Sequence, residues 1–128
     1  NGGTLVTIDR DAAKTAAARE RVAAAGLSDV VECKTGVATD VLNSLPGPFD
    51  LVLSDADKEN CIDYVKRLLP KLADRAVFVT DNTTTHQEQL AGFVAWNRGH
   101  DAFYSVGVPV GNGMELSIKC SASDAVST

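Results

Sequence analysis

Two short apolar runs that each end in carboxylates limit what this chain can fold into. The first is Phe49–Ser54, followed by Asp55, and the second is residues 76–80, followed by Asp81 and Asn82. An apolar run of this length that stops at acidic residues is typical of a buried parallel strand with chemistry at its carboxyl end. If the two strands are neighbours, Asp55, Asp81 and Asn82 converge at one edge of a sheet.

Three oxygen-bearing side chains in one place would suit a hard divalent cation such as Mg²⁺, Ca²⁺ or Mn²⁺. The alternative interpretation is structural: Asp55 and Asp57 would cap the following helix, and Asp81 with Asn82 would begin a turn. For either motif alone the two interpretations are about equally good. The two motifs together favour the cation site.

The remaining sequence alternates strands with helices. Strands are predicted at residues 4–8, 30–33, 49–54 and 76–80. Helices are predicted at residues 11–25, 40–45, 61–72 and 86–98, and Pro70 is expected to bend or end the third of them. The arms 103–110 and 114–119 flank Gly111-Asn112-Gly113, a strong signal for an antiparallel hairpin. This order predicts an α/β fold with helices on both faces of the sheet.

Composition excludes several classes of function. The 128 residues, 45% of them hydrophobic, predict one domain over residues 1–120 and a disordered tail at residues 121–128. A net charge of -5 without a basic cluster argues against nucleic-acid and anionic-membrane partners. The three cysteines, odd in number and far apart, predict reduced thiols. With no signal peptide and no apolar run of the ~18 residues that span a bilayer, a soluble cytoplasmic protein is expected.

From about Gly3 to Lys119 the chain resembles a class I S-adenosylmethionine-dependent methyltransferase, and more narrowly the cation-dependent O-methyltransferases of the catechol and caffeoyl-CoA type. The most specific part is FDLVLSDADKEN at residues 49–60, followed after a helix by Asp81-Asn82. The resemblance implies a Rossmann-like methyltransferase sheet with a terminal antiparallel hairpin. It also implies O-methyl transfer from S-adenosylmethionine to a hydroxyl of a small phenolic, catechol-like acceptor.

The resemblance assigns the cation to Asp55, Asp81 and Asn82, and the role of general base to Lys58. An amine can accept a phenolic proton near neutral pH only where a nearby cation and desolvation disfavour its charged form. The alternative for Lys58 is a solvated residue in the first turn of a helix.

For the cofactor, the resemblance implies that Asp9 binds the ribose hydroxyls, that Ala38 and Thr39 lie beside the adenine, and that Asp55 is a further contact. An acid at the end of a strand can accept two hydroxyl hydrogen bonds, which supports the role of Asp9. The alternatives are a helix N-cap for Asp9 and an ordinary turn at residues 36–40.

The chain also departs from this family. The family's first strand and its glycine-rich turn precede the strand that here begins at Thr4, and that first, central strand is missing from this chain. Two apolar strand edges would then have unpaired backbone groups. Direct closure of the two strands, a homodimer that covers the edges, or a fragment whose partner segment lies elsewhere would each resolve this. We expect a homodimer or a fragment, since closure would move the helices that depend on strand spacing.

Three hypotheses about function follow. The leading one is a cation-dependent O-methyltransferase domain, minimal or truncated. The second is a catalytically impaired methyltransferase-like module that serves binding or assembly. The third is a flavodoxin-type domain with Asp55 as a phosphate acceptor, which fits the acidic strand ends but not the terminal hairpin.

Overall fold

The fold consists of two units, and each of them pairs parallel strands with helices. The computed structural model describes residues 2–55 and 57–121, and the units are Asn1–Leu45 and Pro46–Thr128. Within the described ranges, every helix is too short or too polar to traverse a lipid bilayer. The predicted tail lies outside the described residues except for Ser121, which is buried.

The first unit is a β-α-β-α segment. Its elements are β1 (Leu5–Asp9), α1 (Ala12–Ala24), β2 (Val31–Thr35) and α2 (Ala38–Ser44). β1 and β2 are parallel, with Asp9 opposite Thr35 at their carboxyl ends. α1 is rich in alanine, the best helix former, and it begins where Asp11 Oδ1 accepts hydrogen bonds from the backbone of Ala13 and Lys14, at 2.8 and 3.3 Å.

The second unit contains a four-stranded sheet. Its elements are β3 (Phe49–Ser54), α3 (Cys61–Leu68), β4 (Leu72–Asp81), α4 (Gln87–Arg98), β5 (Phe103–Val108) and β6 (Met114–Lys119). The strand order is β3-β4-β6-β5. β3 runs parallel to β4, whereas β6 is antiparallel to both β4 and β5. The predicted terminal hairpin is therefore confirmed.

The core of the second unit forms where α3 and α4 place their apolar faces. Val65 and Leu68 of α3, together with Leu90 and Phe93 of α4, are each no more than 5% exposed. These pairs are three residues apart, so each pair lies on one face of its helix. Burial of each such side chain contributes roughly 1.5–3 kcal/mol to stability.

The third helix is shorter than predicted. α3 ends at Leu68, a 3-10 turn over Leu69–Lys71 contains Pro70, and Leu72 begins β4. Proline lacks the backbone N–H that a longer helix would need at this position. Leu72 is buried, as a core residue should be, but it is buried in a strand and not in the helix.

The prediction that β3 is buried is wrong for two of its residues. Leu51 and Leu53 are each 67% exposed. Their strand lies at the edge of the four-stranded sheet, where among the described residues it pairs with β4 alone. Leu5 of β1 is likewise 58% exposed. Leu51 and Leu53 are two residues apart and therefore share one face of β3. A continuous apolar sequence indicated two covered faces, but this face of β3 is open.

The three cysteines are free thiols. Cys33 and Cys61 are buried, and Cys120 is half-buried. The prediction of unpaired cysteines is confirmed.

Candidate active site

The carboxyl ends of β3 and β4 lie side by side. The register pairs Leu53 with Val79 and Ser54 with Thr80. Asp55, which follows Ser54, therefore lies at the same edge of the sheet as the carboxyl end of β4. Across this edge the Asn82 side-chain amide donates a hydrogen bond to Asp55 Oδ1. The expectation that these strands are neighbours is therefore met.

Asn82 has an unusual backbone conformation at this edge. Its φ is 67°, in the left-handed region that asparagine tolerates better than most residues. Its backbone N–H donates to Asp81 Oδ1 at 2.7 Å, and its carbonyl accepts from the backbone N–H of His86 at 2.9 Å, just before α4. Asn82 therefore begins a turn, as the structural alternative supposed, and its side chain also contacts Asp55.

Lys58 lies beside the same carboxylate. Its Nζ is 3.6 Å from Asp55 Oδ1, and its side chain is only 14% exposed whereas that of Asp55 is 60% exposed. The alternative of a solvated lysine is therefore wrong. Asp55 Oδ1 receives the Asn82 amide and faces the Lys58 ammonium, so two nitrogens that carry hydrogen approach one oxygen.

Asp57 does not point its carboxylate at the helix backbone. It stands before the 3-10 turn Lys58–Asn60 without a side-chain capping bond. Its carboxylate instead accepts hydrogen bonds from the Asn60 amide and from the Tyr64 hydroxyl. Tyr64 is only 4% exposed. Sequence reasoning missed this residue, although its position on the buried face of α3, one turn beyond Asn60, was a usable signal.

The terminal hairpin contacts the loop that follows Asn82. The backbone N–H groups of Thr83 and Thr84 donate to the carbonyls of Gly113 and Asn112, at 3.1 and 2.9 Å. The Asn112 side-chain amide donates to Asn82 Oδ1 at 3.3 Å. The Gly111-Asn112-Gly113 pattern predicted the hairpin but not its contact with the site.

The residues at this edge fit a hard cation by their chemistry. Asp55 and Asp81 supply carboxylates and Asn82 an amide oxygen, the ligand types that Mg²⁺ and Ca²⁺ prefer. Among the residues that the structure describes, no group of three or more His, Cys, Asp and Glu side chains could hold a metal. The protein therefore offers a partial set of ligands, and a cation such as Mg²⁺ commonly completes its shell with water and substrate oxygens.

The proposed cofactor residues lie in the first unit. Asp9 ends β1, and one of its carboxylate oxygens accepts from the backbone N–H of Asp11 at 2.8 Å. Asp11 itself caps α1, so the N-cap alternative for Asp9 is wrong. Ala38 and Thr39 form the first turn of α2, immediately after the carboxyl end of β2. All three residues therefore lie at the carboxyl side of this two-stranded sheet.

A groove of about 700 Å³ lies between α4 and the terminal hairpin. Its lining includes Thr83, Val94, Pro109 and Met114. Thr83 follows Asn82 directly, so one end of the groove adjoins the candidate cation site.

An ion pair forms part of the groove wall. Arg98 Nε and Nη2 donate to the two carboxylate oxygens of Glu115 at 2.7 and 2.8 Å. The side chain of Glu115 is 1% exposed, whereas that of Arg98 is 51% exposed. This hydrogen bonding raises the pKa of Arg98 above its ordinary value.

Comparison with known proteins identifies the family. The family model described as O-methyltransferase matches residues 1–95. The catechol O-methyltransferase of Mycobacterium tuberculosis is 41% identical over 81 residues, which cover 62% of this chain and 37% of that protein. The catechol O-methyltransferase of Niastella koreensis is 34% identical over 84 residues, which cover 62% of this chain and 38% of that protein.

Solved structures agree with this result. The O-methyltransferase TomG from Streptomyces achromogenes, solved in complex with SAM, superimposes with a TM-score of 0.81 at 27% identity. The match covers 93% of this chain and 63% of that one. The chain thus has the Rossmann-like methyltransferase fold, and it spans less than two fifths of the length of the two curated relatives. Because the family model covers most of its length, this chain belongs to the O-methyltransferase family.

Proposed function

We propose that this chain takes part in S-adenosylmethionine-dependent, divalent-cation-dependent methyl transfer to a hydroxyl of a small catechol-like phenol. The observation that supports it best is the contact between Asp55 and Asn82, with Lys58 beside them, at the carboxyl ends of two parallel strands. Open α/β sheets bind their ligands at such strand ends.

Asp55, Asp81 and Asn82 would hold Mg²⁺, or Ca²⁺ or Mn²⁺ in its place. A bound cation of this kind supplies Lewis acidity, which favours the deprotonated form of an acceptor hydroxyl. Lys58 Nζ stands 3.6 Å from Asp55 Oδ1, so Lys58 would lie beside the cation. The cation would favour the neutral amine, the form in which Lys58 could take the hydroxyl proton. S-adenosylmethionine would supply the methyl group: the phenolic oxygen would bond to the methyl carbon as the carbon–sulfur bond breaks, which would release S-adenosylhomocysteine as a neutral thioether. Alignment of the two reactants supplies most of the acceleration.

The cofactor would bind through the first unit. The Asp9 carboxylate is the acceptor for the ribose hydroxyls, and Ala38 and Thr39 contact the adenine. Support comes from their common position at the carboxyl side of β1 and β2 and from the SAM complex of TomG.

A small acceptor fits the dimensions of the groove beside α4, which holds about 700 Å³. A catechol-like acceptor is further supported by the similarity of this chain to the catechol O-methyltransferases of Mycobacterium tuberculosis and Niastella koreensis. The free cysteines fit the reducing conditions of the cytoplasm, which is the location we propose.

We also propose that two copies associate through the open edge of β3. Leu51 and Leu53 of this strand are exposed, and β3 contains no lysine or proline of the kind that protects strand edges. A second copy of β3, antiparallel across a two-fold axis, would satisfy the backbone groups of both edges.

A second candidate function is a methyltransferase-like module with impaired catalysis that serves binding or assembly. Calorimetry with S-adenosylmethionine separates the two candidates, because absence of binding at millimolar cofactor would favour the second.

The test of the first candidate is methyl transfer from S-adenosylmethionine to a catechol, measured with and without EDTA. Asp55→Ala should abolish transfer, whereas Asp50→Ala is the matched control because Asp50 is an exposed acid in the same segment. Normal turnover after EDTA treatment would reject the role of the cation.

A further inference from the structure

The turn of the terminal hairpin and the loop after Asn82 hold each other in place. Thr83, Thr84 and Thr85 donate backbone hydrogen bonds to the carbonyls of Gly113 and Asn112, at 3.1, 2.9 and 3.4 Å. A Cβ atom at Gly113 would overlap the Thr84 hydroxyl, and the glycine has a φ of 85°. The turn therefore approaches the loop as closely as a residue without a side chain allows.

This close approach brings two side-chain amides together. Asn112 Nδ2 donates to Asn82 Oδ1 at 3.3 Å, while Asn82 Nδ2 donates to Asp55 Oδ1. The amide of Asn82 is thus held at both ends, with its nitrogen towards Asp55 and its oxygen towards Asn112.

A cation held by Asp55 and Asn82 together needs the opposite orientation, because hard cations bind the amide oxygen and not the NH₂ group. A half-turn of the Asn82 amide would exchange the two ends and direct its NH₂ group towards Asn112. Asn112 can support this state as well, since its own amide carries both a donor and an acceptor.

We propose that Asn112 is a positioning residue that sets the orientation of the Asn82 amide and thereby the affinity of the site for divalent cations. The inference rests on the cation site of the proposed function and adds a residue from the hairpin to it. Partners of this kind commonly change metal affinity by about 10–100-fold when they are mutated.

The test is Mn²⁺ binding to the chain without cofactor, measured by electron paramagnetic resonance of the free ion. Asn112→Asp can only accept from Asn82, so it holds the amide oxygen towards Asp55 and should tighten binding about tenfold. Asn112→Leu has no hydrogen-bonding group, so it loses the contact in both orientations and should not show the gain of Asn112→Asp. Aspartate is also favoured in turns, so the Asn112→Asp variant retains the hairpin.

Added charge alone could tighten binding, and a double variant separates the two causes. In an Asn82→Ala background, Asn112→Asp should improve affinity by less than about twofold, because no amide remains to be oriented. A full tenfold gain in that background would overturn the inference, as would unchanged affinity in both single variants. If the wild-type chain binds no Mn²⁺ at millimolar concentration, the cation site itself fails and the inference fails with it. Wild-type binding that does not respond to position 112 overturns the inference alone.

Discussion

The side-chain amide of Asn82, at the end of β4, donates a hydrogen bond to the carboxylate of Asp55, at the end of β3. The two residues are 27 positions apart in sequence, and the parallel pairing of β3 with β4 brings them together. The contact also depends on the left-handed backbone of Asn82, with its φ of 67°. Backbone conformation and site geometry are therefore linked at one residue.

This linkage leads to a prediction for position 82. Asn82→Ala and Asn82→Gly both remove the amide, but only alanine has a Cβ that is strained at positive φ. We expect Asn82→Ala to be less stable than Asn82→Gly by about 1 kcal/mol, as measured by urea unfolding. Cation binding should be weakened equally in both variants. Equal stability of the two would show that the backbone conformation is not strained.

The hydrogen bond from Tyr64 to Asp57 should stabilise the segment that contains Lys58. Tyr64→Phe removes the hydroxyl and leaves a carboxylate oxygen without this donor, so we expect a loss of about 1.5–3 kcal/mol in the free energy of unfolding. The matched control is Tyr104→Phe, because Tyr104 is 63% exposed and should change stability by less than about 0.5 kcal/mol. A loss of the same size in both variants would contradict a specific role for Tyr64.

The sequence predicted the fold well where a periodic pattern matched a local structure. β3 was placed over its observed range, α4 began and ended within a residue of expectation, and Gly111-Asn112-Gly113 formed the turn of the hairpin. The pairing of acidic strand ends followed from parallel topology alone.

The errors arose where distant parts of the chain decide the structure. Leu72 continued the apolar spacing of α3, but Pro70 stopped the helix. Leu72 is instead part of β4, where it pairs with Phe49 of β3. The contact made by Asn112 could not be predicted, because it depends on the approach of two segments that no local pattern brings together.

Burial of Cys61 should make its thiol slow to react. Desolvation raises the pKa of Cys61 above its ordinary value of 9.0. The positive charge of Lys58 opposes this rise, and the negative charge of Asp57 adds to it. Because the thiolate is the nucleophile, Cys61 should react with iodoacetamide more slowly than Cys120 at pH 8. Mass spectrometry of the two peptides measures the difference, which should disappear in urea. Faster labelling of Cys61 in the folded chain would contradict it.

The same shift implies a dependence of stability on pH. The folded pKa lies above the unfolded one, so the contribution of Cys61 to stability is fully present below the unfolded pKa. It is lost as the pH rises through the folded value. Cys61→Ala should therefore flatten the decline of stability on the alkaline side of pH 9.0.

The ion pair between Arg98 and Glu115 should matter more than a surface pair, because the carboxylate is only 1% exposed. Arg98→Ala leaves that charge buried, and we expect a loss of about 2 kcal/mol in unfolding free energy, below the 3–5 kcal/mol of fully buried pairs. The double variant Arg98→Ala/Glu115→Gln should recover part of the loss. As a control, the half-exposed pair of Arg67 with Asp63 should contribute less than about 1 kcal/mol, measured by Arg67→Ala.

The open edge of β3 gives a prediction about assembly. If two copies pair through this edge, sedimentation should show a dimer whose population increases with protein concentration. Leu53→Lys introduces a charge of the kind that protects strand edges and should shift the population towards monomer. Val106→Lys is the matched control, because Val106 is 56% exposed on β5, at the opposite edge of the same sheet. A dimer that is lost in the control and kept in Leu53→Lys would place the interface at β5 and contradict pairing through β3.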